Sequence, residues 1–342
     1  MQYITPDGER QEIDAEKLNV LHDVSRNGRA APWHKHKAAA SLLAIPLSWS
    51  HPEQAARMAN CAERLTFTRD WSDIDRPGRV HLVHAWFCRV RICPMCQWRR
   101  SLKMYGQAKE IIRYLDAQRS AHGHAPYKWA FVTLSIKNVP GEDLAAALDQ
   151  IQAGWQRLIR RARVKKIAKG YIKSLEITYN RQRDDYHPHI HVMIAVNPSY
   201  FTGRDYIPHA EWRQLWKESA RLNYAPQVNV KRKKGDNADL AEVTKYMTKA
   251  SDYIIPYDLD AMAEVTSTLQ DVCAKRRFAS FGGCCADAHR ALMLDDPEEG
   301  DLIHTSTDPT EFGDASEEDP EWVWSWCPGP RLYICPRPEP ER

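Results

Sequence analysis

A chain of 342 residues is long enough to bury a full core and to hold one main domain with attached parts. No apolar run reaches the roughly 18 residues of a membrane span, and the opening MQYITPDGER lacks the apolar stretch of a signal peptide, so a soluble, cytoplasmic protein is expected. The net charge of +3 conceals an asymmetry: residues 295–342 carry 14 Asp/Glu against 3 Lys/Arg, which leaves +14 on residues 1–294 and suggests a basic body with a polyanionic partner.

Residues 1–55 mix polar, Pro and Ala-rich pieces and read as a loosely ordered arm, with one helix near Lys37–Leu43. Residues 56–115 contain Cys61, Cys88, Cys93 and Cys96 in the spacing C-x26-C-x4-C-x2-C. Four thiolates close a tetrahedral structural site for Zn²⁺, and the C-x2-C pair with Pro94 between fits a tight metal-holding turn. The plainer alternative is a set of buried free thiols, and His81 or His84 is an alternative to Cys61 as the fourth ligand. Arg89, Arg91, Arg99 and Arg100 surround the cluster and can press against phosphates. Leu102, Tyr105, Ile112 and Leu115 then mark an amphipathic helix leaving it.

Lys128–Asn138 is a β-rich run, and Glu142–Ala162 reads as a helix with Leu144, Leu148, Ile151, Trp155 and Leu158 on one face. That helix runs into eight cations within 17 residues, among them Arg157, Arg160, Arg161, Arg163, Lys165 and Lys166. They form either a solvated helix end or a nucleic-acid contact. Tyr171–Asn180 is a second strand, joined by the polar turn Arg181–Asp185 to the stretch Tyr186–Ile194. Strand alternation puts His187, His189 and His191 on one face and Ile190, Val192 and Ile194 on the other. Alternating imidazoles on a rigid strand suggest a metal site, and Glu176 of the partner strand is a candidate third ligand in an antiparallel hairpin. Two imidazoles and a carboxylate suit a divalent ion with open positions, such as Mg²⁺ or Mn²⁺.

His209–Leu222 reads as a helix and Val228–Gly235 as a short basic strand and turn. In Asp239–Ala250 the core stripe is Leu240, Val243, Met247 and Ala250, while Glu242 and Tyr246, four apart, share another face. A tyrosine beside a carboxylate with Lys245 and Lys249 close by is a candidate nucleophile for a phosphodiester, although for this helix in isolation an ordinary amphipathic-helix tyrosine is the preferred reading. Residues 256–294 read as a helical extension, and residues 295–342 as a disordered, acidic, Pro-rich tail in which Trp322–Trp326 is an aromatic docking point.

Five motifs in this order, Cys88–Arg100 (CRVRICPMCQWRR), Phe131–Asn138 (FVTLSIKN), Leu175–Asn180 (LEITYN), His187–Val192 (HPHIHV) and Glu242–Lys249 (EVTKYMTK), resemble the rolling-circle plasmid replication initiators (Rep proteins) of the HUH endonuclease superfamily. The match runs from about Cys61 to Tyr253. It implies an α+β fold with a central antiparallel sheet and flanking helices over residues 127–255, in which the catalytic helix lies across the metal strand. It further implies His189 and His191 as the metal-binding pair, Tyr246 as the nicking tyrosine, and Glu242 as the carboxylate that ends the cycle by a second cleavage. His187 is an extra histidine whose role, ligand or support, the resemblance leaves open.

The expected activity is a nick in one strand of double-stranded or extruded single-stranded plasmid origin DNA, giving a 5′-phosphotyrosyl enzyme and a 3′-hydroxyl primer for the host helicase and replication machinery. A relaxase places its tyrosine nearer the N-terminus and an HUH transposase lacks the cysteine-rich entry. A zinc-stabilised DNA-binding protein without catalysis leaves the histidine strand and the Glu242/Tyr246 face unexplained.

Overall fold

The structure is a computed structural model that describes all residues except 1, 5–9, 13–17, 22–30, 71–78, 234–236, 245–249, 306–320 and 337–342. In chain order its elements begin with β1 (Gln2–Ile4), β2 (Arg10–Glu12), β3 (Leu18–Val20), α1 (Trp33–Leu47), α2 (Pro52–Ala59), β4 (Arg64–Asp70), β5 (Arg79–Ala85) and α3 (Pro94–Ala121). They continue with β6 (Lys128–Ser135), α4 (Leu144–Arg160), α5 (Ala162–Ile167), β7 (Gly170–Asn180), β8 (Asp185–Val196), α6 (His209–Ser219), β9 (Val228–Lys233) and α7 (Asn237–Val243). The last are α8 (Ala250–Tyr253), α9 (Leu259–Cys273), β10 (Ala279–Gly283), α10 (Cys284–Ala291), β11 (Glu321–Cys327) and β12 (Leu332–Pro336). The chain divides into two compact units, Met1–Arg99 with Leu302–Arg342, and Arg100–Asp301. No helix among the described residues is long and apolar enough to cross a membrane.

The Arg100–Asp301 unit is built on a five-stranded sheet of order β10-β7-β8-β6-β9, antiparallel throughout. Strand alternation gives it two unlike faces. One carries Val132, Leu134, Leu175, Ile177, Ile190 and Val192, all at most 2 % exposed. On that side Lys173 donates to Gln152 of α4, and Trp155 of α4 meets Tyr171 edge-on. The other face is apolar at one end only. There Trp129, Phe131, Ile172 and Met193 form one core cluster with Ala108 and Ile111 of α3, Leu240 and Val243 of α7, and Cys285 of α10. Further along the same face the register brings Thr133 and Ser174 beside His191, and Ser135 and Glu176 beside His189.

Two expectations for this unit need correction. Residues 256–294 are not wholly helical, because Ala279–Gly283 pairs with β7 as an edge strand. A Cβ on Gly283, where φ is +54°, would stand 2.4 Å from the Lys169 carbonyl, so this close approach requires glycine. The acidic stretch after residue 294 also begins folded. Lys103 pairs with Asp295, and the Glu298 carboxylate accepts the backbone N–H groups of Phe278 and Ala279 at 2.8 and 3.0 Å.

The other unit has a five-stranded antiparallel sheet of order β3-β12-β11-β4-β5, with a bulge between Thr66 and Phe67, and a separate pair β1-β2. The expected disordered tail is therefore corrected over Glu321–Pro336, which supplies two strands to this sheet. Trp324 and Trp326 alternate onto its buried side, where Trp326 meets Tyr333 edge-on at 5.1 Å. The expected loose arm is corrected from residue 31 onward, where α1 and α2 pack through Trp33, Leu43, Leu47 and Met58, none of them exposed. The buried Lys37 ammonium is held by the Ala59 carbonyl at 2.6 Å and by Glu63 at 3.0 Å, which meets the requirement that a buried charge be paired. Residues 306–320 of the acidic stretch lie outside the described residues.

Candidate functional site

The β7–β8 hairpin places the site because Glu176 and His189 are direct register partners, with Thr178 opposite His187 and Ser174 opposite His191. Proline is rare inside sheets because it cannot donate to a ladder. Pro188 is accommodated because β6 pairs with β8 only as far as His189, leaving β7 as the sole neighbour at that level. At His189 and His191 the strand is paired on both sides, with β6 and with β7.

Glu176 Oε2 lies 3.1 Å from His191 Nε2 and 3.2 Å from His189 Nε2. The donor atoms of Glu176, His189 and His191 all fall within 4.8 Å of one another, a spacing that a single cation can bridge. The remaining ring nitrogens are also engaged. His189 Nδ1 meets the His187 carbonyl at 3.1 Å and His191 Nδ1 meets Thr133 Oγ1 at 3.2 Å, which turns both Nε2 atoms toward the carboxylate. Burial acts to raise the Glu176 carboxyl, but hydrogen bonds and charge from His189 and His191 outweigh it and hold the group well below the ordinary carboxylate range. A carboxylate and two imidazoles in this arrangement suit a divalent ion of the oxygen- and nitrogen-binding kind. His187 is not part of this convergence. Its ring stacks on His189 at 5.1 Å, and burial lowers its pKa.

Cys61, Cys88, Cys93 and Cys96 form a second convergence, buried and again within 4.8 Å. Cys96 Sγ lies 3.6 Å from the sulfurs of Cys61 and Cys88, close to the roughly 3.7 Å edge of a tetrahedron with 2.3 Å zinc–sulfur bonds. The backbone N–H groups of Cys88 and Arg89 point at the sulfurs of Cys61 and Cys96. Cys61 completes the set; His84 is exposed, and the side chain of His81 lies outside the described residues.

Of the helix expected over Asp239–Ala250, the described residues show α7 as far as Val243, with Leu240 and Val243 packed on the histidine-bearing face with Met193. Glu242 is half-buried on it, while Lys245, Tyr246 and Lys249 lie outside the described residues. The cationic run occupies the opposite side of the sheet. Arg161 pairs with Glu218 at 2.6 Å, Arg163 with Glu211 at 2.7 Å and Lys166 with Asp205 at 2.6 Å, and Arg157 donates to the Ser219 carbonyl. Arg160 and Lys165 are exposed.

The sequence reading overlooks a cleft of about 600 Å³ beside the histidines. It is walled by Thr133 and Ser135 of β6, by His209 and Arg213 of α6, and by Gln227 and Asn229 at the start of β9. Its only sequence signal is the spacing of His209 and Arg213 by one helical turn.

The model of the replication protein family matches residues 79–334, which spans the histidine strand, α7 and β11. A Bacillus amyloliquefaciens protein named "Protein rep" is 33% identical over 343 residues, covering 92% of this chain and 97% of that protein. A "Protein rep" from a Bacillus species is 34% identical over 272 residues, 74% of this chain and 85% of its own length. One from Streptococcus pneumoniae serotype 2 is 32% identical over 306 residues, 86% of this chain and 89% of its own length. No solved structure matches the chain. With a family model over most of its length and relatives of this identity along nearly all of it, the chain belongs to the Rep family of plasmid replication initiators.

Proposed function

We propose that this chain initiates rolling-circle replication by nicking one strand of its plasmid origin with Tyr246 as nucleophile. The observation that carries the reading is the convergence of Glu176, His189 and His191 on the sheet face over which α7 packs. Tyr246 belongs to the short segment between α7 and α8, and both helices pack on β7, the strand of Glu176. Glu176, His189 and His191 would hold a Mg²⁺ or Mn²⁺ ion, which would supply Lewis acidity for attack on the phosphodiester. The Tyr246 hydroxyl attacks phosphorus and the bond to O3′ breaks, giving a 5′-phosphotyrosyl link and a 3′-hydroxyl that primes synthesis. Glu242, one turn before the tyrosine, takes the proton from water or from a 3′-hydroxyl in the second cleavage that ends the round. Zn²⁺ at the four cysteines is structural. Origin DNA is the partner this chemistry requires, extruded as a single strand where it is cut; a host helicase then unwinds the duplex while the replication machinery extends the primer.

The test incubates the protein with supercoiled plasmid carrying its own replication region, in Mn²⁺ or in EDTA. Relaxed circles with a protein-linked 5′ end, formed only with metal and lost in Tyr246→Phe, are the expected result. Binding without a nick, on DNA that contains the origin, overturns the reading in favour of a DNA-binding protein without catalysis. Glu242→Ala should nick normally but accumulate unterminated product.

A further inference from the structure

The cleft beside the triad has a chemistry of its own. His189 and His191 contribute to its wall, so whatever lies in it continues directly from the triad. None of its lining residues is Asp or Glu. Arg213, exposed at the rim, supplies a permanent cation with no ion pair to a carboxylate among the described residues, whereas Arg161, Arg163 and Lys166 are each paired. Gln227 and Asn229 add side-chain amides, which offer a donor and an acceptor together, and Thr133 and Ser135 add hydroxyls. A volume of about 600 Å³ lies within the range of small-ligand sites and has room for a nucleotide.

Two hydrogen bonds tie the walls together. Trp216 of α6, fully buried, donates its indole N–H to the Ser135 carbonyl at 2.8 Å. His209 Nε2 meets the Val228 carbonyl at 2.6 Å. These two bonds fix α6 against the ends of β6 and β9 and hold Arg213, one turn beyond His209, at the cleft. Register places Asn229 opposite Thr133, on the same sheet face as the histidines.

We infer that this cleft binds the nucleotide adjacent to the scissile phosphate, with Arg213 on its phosphate and Asn229 on the edge of its base. The inference rests on the nicking reading above and adds to it the residues that set register and base preference at the cut. An anion alone would be served by the arginine; the presence of two amide residues favours a base, because an amide fork matches the donor–acceptor edge that adenine presents. Arg213 and Asn229 are therefore positioning residues, which hold the strand while the triad and Tyr246 carry the chemistry.

The experiment uses the full chain and a short fluorescein-labelled single strand centred on the nick mapped for the wild type. Metal-free anisotropy titrations across a salt series are paired with nicking kinetics in Mn²⁺. In Arg213→Ala, affinity should fall about tenfold, the salt slope should drop by about one, and KM should rise with kcat nearly unchanged, while Arg213→Lys should recover the slope. In Asn229→Ala, a panel of strands with each base at each flanking position should lose its preference at one position only. A wild type that nicks, with Arg213→Ala keeping its salt slope and KM and Asn229→Ala keeping every base preference, overturns the cleft assignment alone. A wild type that binds its origin and does not nick removes the nicking reading, and the cleft assignment with it.

Discussion

Glu176 and His189 stand directly opposite one another across β7 and β8, and their side chains meet at 3.2 Å. The same carboxylate oxygen reaches His191 on the far side, so one buried negative charge answers to two imidazoles. Isolated burial of a carboxylate is costly, and here the compensation comes from two imidazoles, His189 and His191. Thr133 contributes from a third strand by engaging the other nitrogen of His191. Removing it should leave the ligands in place but loosen their aim. Thr133→Val should therefore weaken Mn²⁺ binding by about 10- to 100-fold in isothermal titration, and Glu176→Gln should abolish it. Mn²⁺ affinity in Thr133→Val equal to wild type would remove the threonine from this role.

The cysteine cluster yields a sharper discrimination. The purified chain should carry one zinc released by thiol modification, and Cys61→Ser should lose it, whereas His84→Ala should keep it, since His84 is exposed and Cys61 is buried among the other three sulfurs. Metal binding of this kind is coupled to folding, so Cys61→Ser should also lose near-ultraviolet dichroism from Trp33 and Trp98, which pack edge-on at 4.6 Å in the same unit. Zinc retained by Cys61→Ser and lost by His84→Ala would reverse the ligand assignment.

The hairpin that bears the triad is legible in the sequence because period-two alternation of histidines with Ile190, Val192 and Ile194 can belong only to a strand, and the polar turn before it is short. Glu176 follows from counting back through that turn. Thr133 does not follow, because its place beside His191 depends on the register of a strand more than 50 residues earlier, 58 positions by sequence. The cation run shows a different gap in what the sequence displays. Its density suggests a nucleic-acid surface, but the carboxylates that meet Arg161 and Arg163 lie 57 and 48 residues downstream, where local charge counting does not reach. Strand β11 is hidden for a third reason: its alternating tryptophans sit inside an acidic, Pro-rich stretch whose average composition reads as disorder.

Lys173 makes a pH-dependent prediction. Its ammonium is buried beneath α4, and burial lowers its pKa to about 8 despite the charge of Glu298, with Gln152 as hydrogen-bond partner at 2.9 Å. In the unfolded chain the group titrates near 10.4, so between about 8 and 10.4 the unfolded state binds more protons and stability rises with pH. Below that window the whole cost of burying the charge is present, on the order of 3 kcal/mol. Lys173→Met should therefore stabilise the chain at neutral pH, less whatever the lost bond to Gln152 contributes, and the advantage over wild type should shrink from pH 8 to 10. Urea midpoints measured as a difference between the two proteins isolate this group from the other titrations; a difference independent of pH would show that Lys173 keeps its ordinary pKa.

Gly154 makes the contact between α4 and α6 tight enough to test the cleft from a distance. A Cβ there would stand 3.0 Å from Ala220 Cα and Cβ and equally close to the ring of Trp216, the residue that anchors α6 to Ser135. Alanine offers about 1 kcal/mol of helix propensity against that crowding, so Gly154→Ala should change stability little in either direction. Valine adds two methyl groups with nowhere to go and should cost about 1–3 kcal/mol. The displacement falls on α6, which carries His209 and Arg213, and not on β7 or β8, which carry the triad. Gly154→Val should accordingly leave Mn²⁺ affinity unchanged while raising KM for origin DNA, the same signature expected of Arg213→Ala. A variant that instead loses metal affinity would show that α4 supports the triad directly, through the sheet face it covers.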